Sequence, residues 1–225
     1  MKSVAIMQPY FFPYFGYFQL ISAVDIYVNL DHVSFMKRSY MTRNELQAGY
    51  PISIPVKSAS QNKNCREVFI DINEKYISTF QKTLRHLYAK SPYFDIINHQ
   101  IIEPCFQMKE ESISAFNIAI IHRICQYLNI QTPIIETSCG FNQLELKKEA
   151  GLKSIVHQLN GSHYINAIGG QSLYDKTDFL NDHIQLQFLK MGEVDFKNPY
   201  HSILDLLFNY DSVHIQSQLN KFTLE

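Results

Sequence analysis

The chain has 225 residues, enough for one α/β domain or a large domain with a small lobe, and enough to bury a sizeable core. Its 20 Lys and Arg against 21 Asp and Glu give a net charge of −1 without a dense basic run, which argues against nucleic-acid binding by phosphate neutralisation. No apolar run approaches the ~20 residues that cross a bilayer, so no membrane insertion is expected, and the absence of a leader pattern makes the cytoplasm the expected location.

Val4-Ala5-Ile6-Met7 is an apolar run of strand length, ended by Gln8-Pro9 because proline offers no ladder donor. An aromatic bend follows, Tyr10 to Phe15, with Pro13 near a helix start. From Gly16 the residues Phe18, Leu20, Ile21 and Val24 recur at helical spacing, and Ile26-Tyr27-Val28 is a second short strand running to Asp31. Strand, turn, helix and strand in so short a span outline a parallel βαβ unit. The first turn of such a unit lies at the carboxyl end of the strands, where open α/β sheets bind ligands.

Residues 32–50 are polar and read as a loop in which Lys37, Arg38, Arg43 and Asn44 lie close together. A solvated loop and a phosphate or carboxylate site are both open there, arginine being suited to bidentate contact. Pro51 to Val56 alternates like a strand, and Ser58 to Asn64 reads as a lid or flexible link. Val68-Phe69-Ile70-Asp71 is predicted as another strand. Helices are predicted over Glu74–Ala89, Tyr93–Met108 and Ser112–Leu128, the last capped by Ser112. This block, residues 74–129, is predicted as a helical insertion, with 1–73 and 130–225 forming the α/β core.

Thr132 to Thr137 resumes the strand pattern and ends at Ser138-Cys139-Gly140, far short of a Gly-x-Ser-x-Gly elbow. Cys139 becomes a thiolate nucleophile only beside a helix start or a histidine; the other reading is a small buried hydrophobe. The four cysteines show neither C-x-x-C nor Cys/His spacing, so reduced thiols and no metal site are expected. A helix is predicted over Leu144–Leu159 and a strand over His163–Asn166. Gly169-Gly170 then sits between strand and helix, where bare backbone amides approach an anion or where a positive-φ turn is needed. Ile184 to Phe188 alternates as a half-exposed strand. Ser202 reads as a cap on a helix from Ile203 to Phe208, with Asp205 in its first turn, where a carboxylate suits the dipole. His201 is the titratable base candidate, and the tail after Asp211 reads as trailing polar helix.

The chain resembles the WbqC-like family of small bacterial proteins. The matching residues are Gln8-Pro9, Pro13, Gly16-Tyr17-Phe18, Asp25, Asp31, Arg43-Asn44, Tyr164, Gly169-Gly170, Tyr174 and the run Ser202 to Asn209. The resemblance implies a setting in surface-polysaccharide (O-antigen) biosynthesis. A fainter resemblance links the opening unit to the nucleotidylyltransferase and pantothenate-synthetase-like superfamily. Its His-x-Gly-His phosphate signature falls on Tyr14, Gly16 and Tyr17, and tyrosine does not become a cation near neutral pH.

The expected fold is therefore α/β, a three-layer parallel sheet of Rossmann-like or HUP-like type with the helical insertion. The expected function is acyl or aminoacyl transfer, or amide formation, on a nucleotide-linked amino sugar. The alternative is a non-catalytic binding module holding a nucleotide or sugar nucleotide in the same pathway. The expected binding residues are Gln8, Pro9, Tyr10, Tyr14, Gly16, Tyr17, Asp31, Lys37, Arg38, Arg43, Asn44, Gly169, Gly170, Tyr174 and Ser202. His201 and Asp205 are the expected proton-transfer pair. ATP and a phosphopantetheine carrier thioester both fit as donor-side cofactors, an acyl or peptidyl carrier protein fits as partner, and a homodimer is compatible with the sequence.

Overall fold

A computed structural model describes residues 1–108, 111–141 and 148–225. Its first half contains β1 (Ser3–Met7), α1 (Phe15–Ser22), β2 (Ile26–Asn29), β3 (Arg43–Leu46), β4 (Tyr50–Ser53), β5 (Val56–Lys57), β6 (Phe69–Ile70), α2 (Glu74–Tyr88), α3 (Phe94–Ile97), α4 (Glu103–Cys105) and α5 (Ile113–Tyr127). The second half contains β7 (Ile134–Ile135), α6 (Lys148–Gln158), β8 (His163–Ala167), α7 (Lys176–Asn181), β9 (Gln185–Met191), α8 (Ile203–Asn209), α9 (Ser212–Ser217) and β10 (Phe222–Leu224). Six strands form one sheet in the order β10-β9-β8-β1-β2-β7, parallel except for the antiparallel edge strand β10. The chain is thus a mixed α/β protein around a mostly parallel sheet.

Strand alternation divides the apolar residues between the two faces of that sheet. Ala5, Tyr27, Ile165 and Leu189 join one buried cluster with Phe15 and Phe18 of α1, Phe116 and Ile120 of α5, and Leu204 and Leu207 of α8. Val4, Ile6, Val28, Tyr164 and Leu186 join the other, with Leu152, Ile155 and Val156 of α6 and Phe179 of α7. A parallel sheet needs both faces covered, and here they are.

The connections run in opposite directions from the middle of the sheet. β1 leads through α1 to β2 on one side, whereas β8 leads through α7 to β9 on the other. β1 and β8 are adjacent, Ser3 opposite His163 and Val4 opposite Tyr164. Chains that leave two neighbouring strands in opposite directions open a crevice between their carboxyl ends.

Several expected elements take another form. The predicted loop at 32–50 contains β3, which pairs with β4 as an antiparallel hairpin, Asn44 opposite Ile52. The predicted strand at 68–71 is shortened to β6, paired with β5 outside the main sheet. The predicted helix over 93–108 is interrupted by a π turn at Asn98–Ile102 before Pro104, which supplies no N–H to an α-helical ladder. The tail is not simply helical: after α9 it returns as β10, Phe222 opposite Met191. Part of the predicted 144–159 helix, up to residue 147, lies outside the described residues; the remainder is α6.

Candidate functional site

The aromatic bend after β1 is held by three distant side chains and one distant backbone carbonyl. Asn117 Nδ2 donates to the carbonyls of Pro9 (3.0 Å) and Met41 (2.8 Å). Asn44 Nδ2 donates to those of Phe11 (3.1 Å) and Phe12 (2.6 Å), and its Oδ1 accepts from Glu45 N at 2.8 Å. Ser202 Oγ donates to Phe12 O at 3.0 Å, and Phe11 N donates to Tyr40 O at 2.8 Å. Phe12 is fully buried with φ +42°, in the left-handed region that costs a residue with a Cβ about 1–2 kcal/mol. Two donors converging on its carbonyl hold it there.

The bend presents tyrosines at the crevice between β1 and β8. The Tyr10 ring lies 5.5 Å from that of Tyr40 and 5.6 Å from that of Tyr17, and within electrostatic reach of Tyr174. Tyr174 follows the Gly169-Gly170 turn and packs edge-on to Tyr164, 6.2 Å between centroids. Tyr14 stacks on Tyr200 at 6.3 Å, next to His201 in the chain. A Cβ at Gly16 would meet the Tyr14 ring at 2.5 Å, so glycine is what lets that ring lie over the start of α1. Burial raises the phenols of Tyr10 and Tyr14, the latter to about 12, so both act as neutral hydrogen-bonding groups at pH 7. Tyr40 and Tyr200 are well exposed. Tyr40 carries no signal in the sequence that would single it out.

The other expected binding residues are distributed as follows. Tyr17 is buried: its hydroxyl donates to Gln8 O at 2.8 Å and meets the hydroxyl of Tyr27, so it braces the bend from below. Asp31 is buried too, its Oδ1 accepting from Ser138 N (2.9 Å) and Ser138 Oγ (3.0 Å), which ties the end of β2 to the end of β7. Asn44 and Ser202 are taken up by the bend. Arg43 is exposed, and alternation along β3 turns it away from the face where Asn44 meets the bend. Lys37 and Arg38 are exposed on the turn before Tyr40, and neither forms an ion pair among the described residues. The positive-φ explanation for the paired glycines is overturned: Gly169 and Gly170 lie in a 3-10 turn over Ile168–Leu173, and Gly49 is the glycine with positive φ among the described residues. Space beside Gly169 is open, and Gly170 lies against the Asn166 amide.

A cleft of ≈ 860 Å³ lies beyond Tyr200, lined among others by Gln47, Leu87, Lys197, Asn198, His201 and Asp205. Its central feature is a contact between His201 Nδ1 and Asp205 Oδ2 at 2.9 Å. The two meet although His201 precedes the helix, because Ser202 is an extended N-cap that lays the preceding residue across the first turn. Asp205 Oδ1 accepts from Gln47 N at 3.0 Å and from the hydroxyl of Tyr88. Tyr88 and Gln47 come from α2 and the β3–β4 turn, partners that local reading of the 198–209 segment cannot supply. With Nδ1 facing a carboxylate, the imidazole orientation is fixed and Nε2, which bonds no described residue, is left to take or give a proton.

Burial raises the Asp205 carboxyl to about 7 from an ordinary 3.8, against the opposing pull of the Gln47 N–H. A raised acid in the folded state contributes stability that is complete below about pH 4 and lost as pH climbs towards 7. The melting temperature is therefore expected to fall between pH 4 and 7. Asp205→Asn keeps an acceptor for Gln47 and Tyr88 and should flatten that slope. An unchanged slope in Asp205→Asn would show that another group sets it.

A second hollow, ≈ 480 Å³ between α6 and α7, holds none of the predicted binding residues. Lys153 crosses it to Asp182 Oδ2 (2.9 Å) and to Asp178, so its cation is already neutralised. Among the described residues no three His, Cys, Asp or Glu side chains gather as metal ligands, and no helix is long and apolar enough to cross a membrane.

Fold and site together define an α/β protein with a tyrosine-lined crevice at the carboxyl edge of its sheet and a buttressed His–Asp pair beside it. Comparison with known proteins gives the family: the model of the WbqC-like protein family matches residues 8–217, and the chain belongs to it. The chain is similar to the uncharacterized protein Rv1507c of Mycobacterium tuberculosis (strain ATCC 25618 / H37Rv), 27% identical over 220 residues that span 93% of this chain and 94% of that one. No solved structure matches the chain.

Proposed function

We propose that the protein transfers an acyl or aminoacyl group, or forms an amide, on a nucleotide-linked amino sugar during surface-glycan (O-antigen) assembly in the cytoplasm. The observation that carries this reading is the crevice between β1 and β8, where Tyr10, Tyr40 and Tyr174 gather above a point at which the chain departs in opposite directions. Aromatic faces there would cover a base or sugar ring. Lys37 and Arg38, on the turn before Tyr40, would meet the diphosphate. The amine of the sugar would lose its proton to His201, whose Nδ1 is fixed by Asp205. The acyl group would come from an ATP-activated acid or from a phosphopantetheine thioester on a carrier protein. In this reading the fold is a doubly wound, three-layer sheet of Rossmann-like or HUP-like type, and residues 74–129 are its helical insertion.

A binding module without turnover is favoured by one observation. Of the two positions matching the phosphate-binding histidines of the nucleotidylyltransferase superfamily, Tyr17 is buried and bonded to Gln8 and Tyr27, and Tyr14 is a neutral phenol. A thermal-shift panel of sugar nucleotides, ATP and a carrier protein, with product detection by mass spectrometry, separates the two. Stabilisation with product supports the enzyme, and stabilisation without product supports the module. No stabilisation by any member sinks both. Tyr40→Ala, at an exposed ring, is expected to reduce the ligand-induced shift while the unliganded protein melts within a degree or two of the parent.

A further inference from the structure

Two other loops reach the same carboxyl edge, those after β2 and β7, and they bring His32 and Cys139 together with Arg66 of the 3-10 turn Cys65–Glu67, between β5 and β6. Cys139 stands in a 3-10 turn capped by Thr137, whose Oγ1 accepts from Cys139 N at 3.2 Å. His32 Nδ1 lies 4.0 Å from Cys139 Sγ, and the Arg66 Nη1 group is in contact with the same sulfur. Asn64 Nδ2 lies 3.4 Å from the same His32 nitrogen and fixes the place of the ring beside the thiol. The arrangement is built in from three sides. Asp31 bonds Ser138, His32 N donates to Ser138 Oγ, and backbone bonds Phe35 N to Lys63 O and Cys65 N to Val33 O zip the 32–35 segment to the 63–66 segment.

The other three cysteines are a contrast within the same chain. Cys65, Cys105 and Cys125 are buried, and burial pushes each thiol up to about 12, so they are inert. Cys139 is the partly exposed one. A thiol with a base on one side and a cation on the other is the arrangement that generates a thiolate near neutral pH.

We propose that Cys139, with His32 as its base and Arg66 as its counter-ion, is a nucleophilic site that accepts an acyl group from a thioester. His32 Nδ1 takes the Sγ proton, and the sulfur attacks the thioester carbonyl. A carbon–sulfur bond to Cys139 forms while the bond to the donor sulfur breaks. The donor sulfur departs with the electron pair and takes the proton back from His32, so nothing is oxidised or reduced. The choice of a thioester rests on the acyl-transfer reading above; the activated thiol stands on its own geometry.

The test uses the whole protein. Alkylation with iodoacetamide across pH, read by intact mass and peptide mapping, is expected to modify Cys139 alone with a midpoint below about 7.5, moving towards about 8.5 in Arg66→Gln and His32→Gln. Incubation with acetyl-coenzyme A is expected to add the mass of one acetyl group, removable by hydroxylamine and absent in Cys139→Ser. A midpoint near that of a free thiol that neither variant moves would overturn the proposal. So would an early midpoint without acetylation by the thioester. Acetylated Cys139 with no sugar product from any donor sinks the acyl-transfer reading and leaves this site standing.

Discussion

Replacing His201 with glutamine is expected to lower kcat for the proposed amide formation by about 10²–10⁴-fold, the usual share of a general base, while KM for the proposed sugar nucleotide stays nearly constant. Glutamine is close in size and can donate to Asp205 Oδ2, but it cannot take up a proton. The fold should survive the change, since His201 is partly exposed and the buried contacts of Asp205 with Gln47 and Tyr88 do not pass through it. Asp205→Asn should also lower kcat, because an amide facing Nδ1 favours the opposite tautomer of the ring. Rates for His201→Gln within about threefold of the parent would remove His201 from the chemistry and leave the pair a purely structural one.

Asn44→Ala is expected to cost about 2–4 kcal/mol, measured as a shift in denaturation midpoint at constant m-value. The side chain satisfies two carbonyls and one N–H, and the carbonyls belong to buried residues of the bend. Truncation leaves these groups without partners in a site too closely packed for easy rearrangement. Phe12, held at φ +42° by Asn44 and Ser202 together, would keep one of its two tethers. The neighbouring Arg43→Ala is the internal control, since that side chain is exposed and turned the other way; its effect should stay within about 0.5 kcal/mol. A loss below about 1 kcal/mol for Asn44→Ala would mean that water or a shifted backbone replaces the amide.

How much was legible in the sequence follows the range of the interactions. The β1–α1–β2 unit could be read because its apolar spacing and its Gln8-Pro9 stop are local, and Glu74–Tyr88 could be read because Phe80, Leu84 and Tyr88 share one face. β10 could not, since three residues of ordinary tail become a strand only by pairing with β9. β3 was hidden by its own composition: Asn44 and Glu45 are not strand formers, and the inward asparagine is there for hydrogen bonds rather than apolar packing. His201 and Asp205 could be named as titratable neighbours, but Tyr88 and Gln47 lie 117 and 158 positions from Asp205, and no local pattern announces them. Asn117 left a faint trace, a polar residue among Ile113, Phe116, Ile120 and Ile124 on the buried face of α5.

Ser202 links the two halves of the candidate site. Its hydroxyl holds Phe12 while its amide donates to Glu45 O, and from the same point the chain turns into the helix that carries Asp205. In the proposed enzyme, a change that widens the entrance for a bulkier sugar is expected to shift the His201–Asp205 pair with it. Under that proposal specificity and rate are coupled through this one serine, which would be left untouched as the fixed reference for both.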